Sequence, residues 1–203
     1  MSLQLMQEDI LFFQRFLKGQ NFYTAGLDGI WGNYTERASR EFEQASLHLR
    51  EELGEFDVRS EGNIFTLALT LQRECRLFLA RVASLRDIKV KVISGTRTYA
   101  QQAYIYEQGR GRPGNIVTHA KPGESNHNFG IAWDIAVFDD AGNYLTDNTP
   151  YERVAAAGLS AQLEWGGRWT RFPDLPHYEL STVLSLAQIR DRFEQGKSLT
   201  QVT

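Results

Sequence analysis

An α+β fold, with a small and mostly antiparallel sheet flanked by helices, is predicted by three features of this 203-residue chain. IKVKVISG alternates apolar and basic residues up to Gly95, and a second strand fits Ile131 to Phe138. Longer stretches between and around them space their apolar residues at helical intervals. Strands and helices also follow one another without the regular βαβ beat that a parallel sheet requires.

Taken in order, EDILFFQRFLK (residues 8–18) spaces Ile10, Phe13 and Leu17 along one helix face, and the turn-rich NFYTAGLDGIWG follows. A second short helix fits TERASREFE, with Thr35 as N-cap and Ala38 and Phe42 inward. The charged, weakly periodic residues 46–63 read as a junction, which divides the chain into 1–46 and 47–203. From Ile64, residues Ala68, Leu71, Cys75, Phe78, Val82 and Leu85 form one apolar stripe, predicting a helix of about 22 residues. TYAQQAYIYEQG reads as a helix capped by Thr98 and stopped at Gly109. The loop GRGRPGN has neither the Lys-Ser/Thr of a phosphate-binding loop nor the strand-turn-helix setting of a dinucleotide site. DDAGNY is a turn, TPYERVAAAGLSAQL is helical, and PHYEL is a short strand before a last helix near 183–194.

With 42% hydrophobic and 23% charged residues, the chain suffices for one well-buried core and a small accessory part. A net charge of -3 and a pI of about 5.8 give no electrostatic basis for binding nucleic acid or an anionic membrane. No apolar run nears the roughly 20 residues of a membrane span. Glu8 and Asp9 ahead of the short ILFF do not fit a secretory leader, so work outside the cytoplasm is expected to need another route of release. The single cysteine, Cys75, excludes an intramolecular disulfide or a multi-cysteine metal cluster, and its place on the apolar stripe assigns it to the core.

ESNHNFGIAWDIAVF (124–138) places Asp134 among the apolar residues of a strand. A buried carboxylate needs a cation, several donors or a metal; at a strand edge it needs only water or an arginine. DLPHYEL adds His177, with Asp174 three residues before it. Two imidazoles and one carboxylate leave a tetrahedral zinc one open position, the arrangement of a catalytic rather than a structural site. Asp174 then has a use, because a carboxylate on the turn before a ligand reaches the water at that position and accepts its proton. His119, in a loop eight residues before His127, is expected to stay outside the ligand set, since a fourth protein ligand closes the site. His48, in the junction, is expected at the surface.

SNHNFGIAWD fits the pattern S-x-H-x-x-G-x-A-x-D through Ser125, His127, Gly130, Ala132 and Asp134. It resembles the signature of the D-alanyl-D-alanine and L-alanyl-D-glutamate peptidase family of zinc metallopeptidases. The resemblance continues through ISGTRTYAQQAYIYEQGR, VTHAKPGESNHNFG, LEWGGRW and DLPHYEL in that order, spanning residues 64–182. It implies zinc held by His127, Asp134 and His177, Asp174 as general base, and Arg97 stabilising charge on the scissile carbonyl. Ser125 and Trp165 join Arg97 at the substrate. The aspartate at 174 and the WGG beginning at Trp165 resemble the endopeptidase branch, whereas the D-alanyl-D-alanine enzymes usually carry glutamate there. Arg168 departs from that branch, which often has an acidic residue at this place. DILFFQRFLKGQNFYTAGLDGIWGNYTERASREFE is similar to small helical peptidoglycan-binding domains, with Asp28, Gly29, Trp31, Gly32, Thr35 and Phe42 at the matching places. It is shorter than the usual module and lacks its second DG turn; Trp31 packs the helices or stacks on sugar.

Together these resemblances imply a peptidoglycan-binding-like unit over 1–46 and a zinc peptidase domain over 47–203. The expected activity is that of a monomeric endopeptidase acting on peptidoglycan stem peptides at the L-Ala–D-Glu bond. A phage endolysin released through a holin pore fits first, as do an injected effector and a cytoplasmic recycling enzyme. A D-Ala-D-Ala carboxypeptidase is one alternative. A zinc-containing wall-binding module without turnover is the other, and it needs neither Asp174 nor Arg97.

Overall fold

The computed structural model describes residues 3–199. Its elements in chain order are α1 (Leu3–Gly19), α2 (Asn33–Leu53), α3 (Val58–Ile64), α4 (Leu69–Val82), β1 (Ile88–Ser94), α5 (Tyr99–Tyr106), β2 (Ala132–Asp139), β3 (Tyr144–Leu145), α6 (Asn148–Gly158), β4 (Leu163–Trp165), β5 (His177–Leu180) and α7 (Leu186–Glu194). Short 3₁₀ turns occupy Asn126–Phe129 and Gly166–Arg168. Every strand pairing is antiparallel, in the order β1-β2-β5-β4, with β3 on β2 beyond the end of β5. The predicted α+β class with a small antiparallel sheet is the class found. Among the described residues no helix is long and apolar enough to cross a membrane.

Packing groups the chain into two compact units. One comprises Ser46–Thr96 and Ile131–Val183 and contains the whole sheet. Side chains alternate along a strand, so Trp133, Ile135 and Val137 of β2 and Tyr178 of β5 share one face, and all four are fully buried. Phe78 of α4 seals that face, 4.6 Å from Tyr178 and 5.9 Å from Trp133 between ring centroids. Trp133 and Tyr178 stack at 5.7 Å. Helix α6 approaches α4 at Gly158, where a Cβ would lie 2.3 Å from the Phe78 ring, and Arg81 caps the helix by donating to the Gly158 carbonyl. Helix α3, capped by Asp57, covers β1: Ser60 Oγ accepts the Val92 N–H at 2.9 Å, and Asn63 Nδ2 donates to the Val92 carbonyl at 3.0 Å. The edge-strand groups of Val92 are thereby satisfied.

The other unit takes the chain as far as Ala45, Arg97–Gly130 and the stretch from Leu184 onward. Phe12 of α1, Tyr99 of α5, Phe193 of α7 and Phe129 of the first 3₁₀ turn form its aromatic core, at centroid distances of 5.1 to 5.6 Å. The DG turn is pinned by Gln14, which is fully buried. Its Oε1 accepts the Asp28 and Gly29 N–H groups, and its Nε2 donates to Asp28 Oδ1, the Ile30 carbonyl and Thr35 Oγ1.

Three expectations about helices are corrected. Helix α2 runs from Asn33 to Leu53, so Thr35 lies inside it, its hydroxyl committed to Gln14 and the Ile30 carbonyl rather than to capping. Part of the charged stretch 46–63 is helical, in the end of α2 and in α3. The expected 22-residue helix is broken: Ile64 ends α3, and α4 begins only at Leu69. Thr66 Oγ1 donates to the Asn63 carbonyl, and Gln72 Nε2 donates to the carbonyls of Phe65 and Leu67, so side chains satisfy the break. The apolar stripe itself survives across it, with Leu71, Cys75 and Phe78 fully buried.

Arg76, 2% exposed, lies beside this break and grips Glu61 through two bonds of 2.8 and 2.7 Å while donating to the Gly54 carbonyl. Burial works against ionisation of Glu61, but Arg76 and the Phe56 N–H outweigh it and hold the carboxyl below its ordinary value. A depressed folded value means that the pair's stabilisation is present above the unfolded pKa and is lost as the pH falls through the folded one. We predict that Arg76→Ala, which removes a buried guanidinium and leaves the half-buried Glu61 carboxylate without its partner, destabilises the protein by about 2–4 kcal/mol at neutral pH in urea unfolding. Glu61→Gln is expected to remove part of the wild-type loss of stability on acidification.

Candidate metal centre

Two chain segments deliver the predicted donors. The first is the 3₁₀ turn Asn126–Phe129, which ends at Gly130 with φ +73°, a left-handed conformation that carries a cost for any residue with a Cβ. That turn leads within two residues into β2. Asn128 anchors it, accepting the Gly123 N–H and donating to the Arg97 carbonyl, both at 2.9 Å. The Arg97 N–H returns a bond of 3.0 Å to the His127 carbonyl. Thr98, the next residue, starts α5 with a full capping box, so the backbone of Arg97 is fixed on both sides.

The second segment is the antiparallel pair β2 and β5, in whose register Asp134 lies directly opposite His177. Both side chains leave the sheet on the face away from Trp133 and Tyr178, since their neighbours in sequence fill the core. His177 Nδ1 lies 3.1 Å from Asp134 Oδ1, and Nε2 lies 2.9 Å from Glu179 Oε2. Burial disfavours the charged ring, but Asp134 and Glu179 outweigh it and raise the His177 pKa to about 9. His127, Asp134 and His177 each offer one ligand atom, and these atoms lie within 4.8 Å of one another. Both histidines are buried, at 1% and 6% exposure.

This donor set fits a divalent metal. Bonds of roughly 2.0–2.2 Å in a tetrahedron set donor separations of about 3.3–3.5 Å, and the Nδ1 to Oδ1 spacing is within a few tenths of an ångström of that. Two imidazoles and a carboxylate also leave coordination positions for water. Metal at this position competes with the proton on Nδ1, so affinity falls as the pH drops.

Asp174 is exposed on the turn before β5. Its N–H donates to the Gly166 carbonyl at 3.0 Å, and its own carbonyl accepts the His177 N–H at 3.2 Å. Trp165 is buried at the end of β4, and its indole N–H donates to the Leu175 carbonyl at 2.8 Å, bracing the same loop. Ser125, half-buried, caps the 3₁₀ turn by position without a side-chain bond to it. His119 and His48 are exposed, and neither belongs to a metal-ligand group among the described residues. Arg168 is exposed. Trp31 is no part of the group: it stacks on Phe13 at 5.8 Å, donates to Glu36 Oε2 and stays 47% exposed. Two neighbours of His177 escaped the sequence reading. Glu179 was legible as the alternate residue of HYEL, whereas Trp169, whose ring lies 5.1 Å from the imidazole, carried no local signal.

Residues 118–180 match the family described as D-alanyl-D-alanine carboxypeptidase, and this stretch includes all three donors and Asp174. The chain is 36% identical over 111 residues to the peptidoglycan L-alanyl-D-glutamate endopeptidase CwlK of Bacillus subtilis (strain 168), an alignment covering 50% of this chain and 66% of CwlK. The crystal structure of the Serratia marcescens L-Ala D-Glu endopeptidase ChiX aligns with a TM-score of 0.47 and 27% identity, covering 62% of this chain and 89% of ChiX. The peptidase-family resemblance read from the sequence is thus borne out over the segment that carries the donors.

Gly166 permits the turn that carries Asp174. A Cβ there would lie 2.7 Å from the Asp174 carbonyl oxygen and 3.1 Å from His177 Cβ. We predict that Gly166→Ala pushes the Asp174 turn outward and destabilises the protein by about 1–3 kcal/mol in urea unfolding. Wild-type stability in that variant would show that the turn tolerates displacement.

Proposed function

We propose that this chain is a zinc-dependent endopeptidase of peptidoglycan stem peptides, cutting between L-Ala and D-Glu. The observation that carries the reading is the convergence of His127, Asp134 and His177 in a segment related to peptidases, with Asp174 hydrogen-bonded through its backbone to one of the three. A bound zinc supplies Lewis acidity and acidifies water. The chain's own residues supply the rest. Asp174, exposed and next to a ligand in the fold, takes the proton of the attacking water and passes it to the leaving amine. Arg97, its backbone locked to the His127 turn, holds its guanidinium for the carbonyl oxygen as charge develops there. Ser125 and Trp165 border the substrate, Ser125 by hydrogen bonding and Trp165 by holding the loop from Gly166 to Pro176.

The N-terminal residues 1–46 serve wall binding in this reading, with the exposed part of Trp31 meeting glycan. A lytic setting, as a phage endolysin or an enzyme delivered to the wall, accompanies it. The aspartate at 174 and the CwlK relationship favour this over removal of a terminal D-Ala, the activity in the matched family's description.

The test is mass spectrometry of peptidoglycan digested with the protein, with and without chelator and zinc add-back. We predict disaccharides that retain L-Ala together with peptides that begin at D-Glu. Release of D-Ala alone would establish the carboxypeptidase instead, and an undigested wall that retains the protein would establish a binding module. Asp174→Ala is expected to keep its metal and lose roughly 10²–10⁴-fold in rate. His177→Ala is expected to lose metal and activity together.

A further inference from the structure

We propose that Glu179 is the positioning residue of the metal centre, holding His177 so that Nδ1, and not Nε2, faces the metal. The inference rests on the metal-binding reading above. It starts from strand geometry: His177 and Glu179 are alternate residues of β5, so both side chains leave the same face, while Tyr178 between them turns into the core. Glu179 Oε2 lies 2.9 Å from His177 Nε2. A carboxylate only accepts hydrogen bonds, so Nε2 carries the hydrogen. The opposite ring nitrogen faces Asp134 Oδ1, a member of the donor group, and Glu179 is not a member of it. The imidazole is therefore clamped between an inner carboxylate that shares its metal and an outer one that fixes its tautomer. An acceptor on the distal N–H both orients the ring and raises the basicity of the ligating nitrogen.

The neighbourhood supplies a control. On β4, Glu164 sits directly opposite Glu179 in the register, and it accepts a bond from Ser181 Oγ at 3.3 Å. It has the same charge on an adjacent strand, but its carboxylate is engaged by Ser181, whereas the ring nitrogens of His177 face Asp134 and Glu179. A purely electrostatic contribution of acidic residues to cation binding would be shared by both glutamates. A tautomer clamp belongs to Glu179 alone.

The experiment measures zinc affinity of the full chain by competition with a chromophoric chelator, for wild type, Glu179→Ala, Glu179→Gln and Glu164→Gln. The wild-type His177 ring is followed in parallel by nitrogen-15 NMR with zinc bound. The expected result is a loss of about 10–100-fold in affinity for Glu179→Ala. Glu179→Gln should recover part of it, because its amide oxygen still accepts, and Glu164→Gln should match wild type. The ring should report a protonated Nε2 and a metal-bound Nδ1. Wild-type affinity in Glu179→Ala, an equal loss in Glu164→Gln, or zinc on Nε2 would each overturn the assignment while leaving the metal centre standing. A wild-type protein that binds no zinc would overturn the metal reading, and this inference with it.

Discussion

The antiparallel register that sets Asp134 opposite His177 is the constraint on which the rest of this molecule depends. Slipping β5 by one residue against β2 would turn His177 toward Phe78 and bring Tyr178 out beside Asp134. The register is held by packing more than by the polar pair. Trp133 and Tyr178 stack on the opposite face with Phe78 against both, and each such aromatic contributes a few kcal/mol of burial that a slipped pairing forfeits. The polar face thus inherits its geometry from the apolar face, and the aromatic residues of the core are indirectly responsible for where the donors point.

Around that pair, backbone contacts do much of the positioning. Arg97 and His127 are tied main chain to main chain, with Asn128 as the clamp. Asp174 and His177 share a turn closed on Gly166. Loops ordinarily vary in conformation, and a site built on them needs such anchoring to hold its groups in place. Glycine acts here in two different ways: at 130 it accepts a left-handed backbone, and at 166 it leaves room for the carbonyl of Asp174.

Much of this was legible in the sequence. The α+β class, a strand from residue 88, a second from about residue 131 and the Thr98 cap follow from local pattern, and the three donors that the fold brings together follow from the family resemblance. Short-range reasoning failed where a distant side chain decided the local structure. Thr35 reads as a helix cap, but Gln14, 21 residues away, claims its hydroxyl. The stripe from Ile64 to Leu85 reads as one helix because periodicity does not register the side chains of Thr66 and Gln72, which satisfy a break. β3 and β4, of two and three residues, are too short to show alternation. Trp169 reaches His177 only because the loop folds back, which no spacing rule encodes.

The bond between Asp134 and His177 joins residues 43 positions apart. A cation gripped from both strands would act as a reversible crosslink across that span, since a ligand bound only by the folded chain adds RT ln(1 + [L]/Kd) to its stability, about 2.7 kcal/mol at a hundred times Kd. The lifetime of the folded protein would then track the free metal of its surroundings. In a metal-poor medium the strand pair would be held by packing and its own hydrogen bonds, and proteases would reach the exposed turn before β5 sooner.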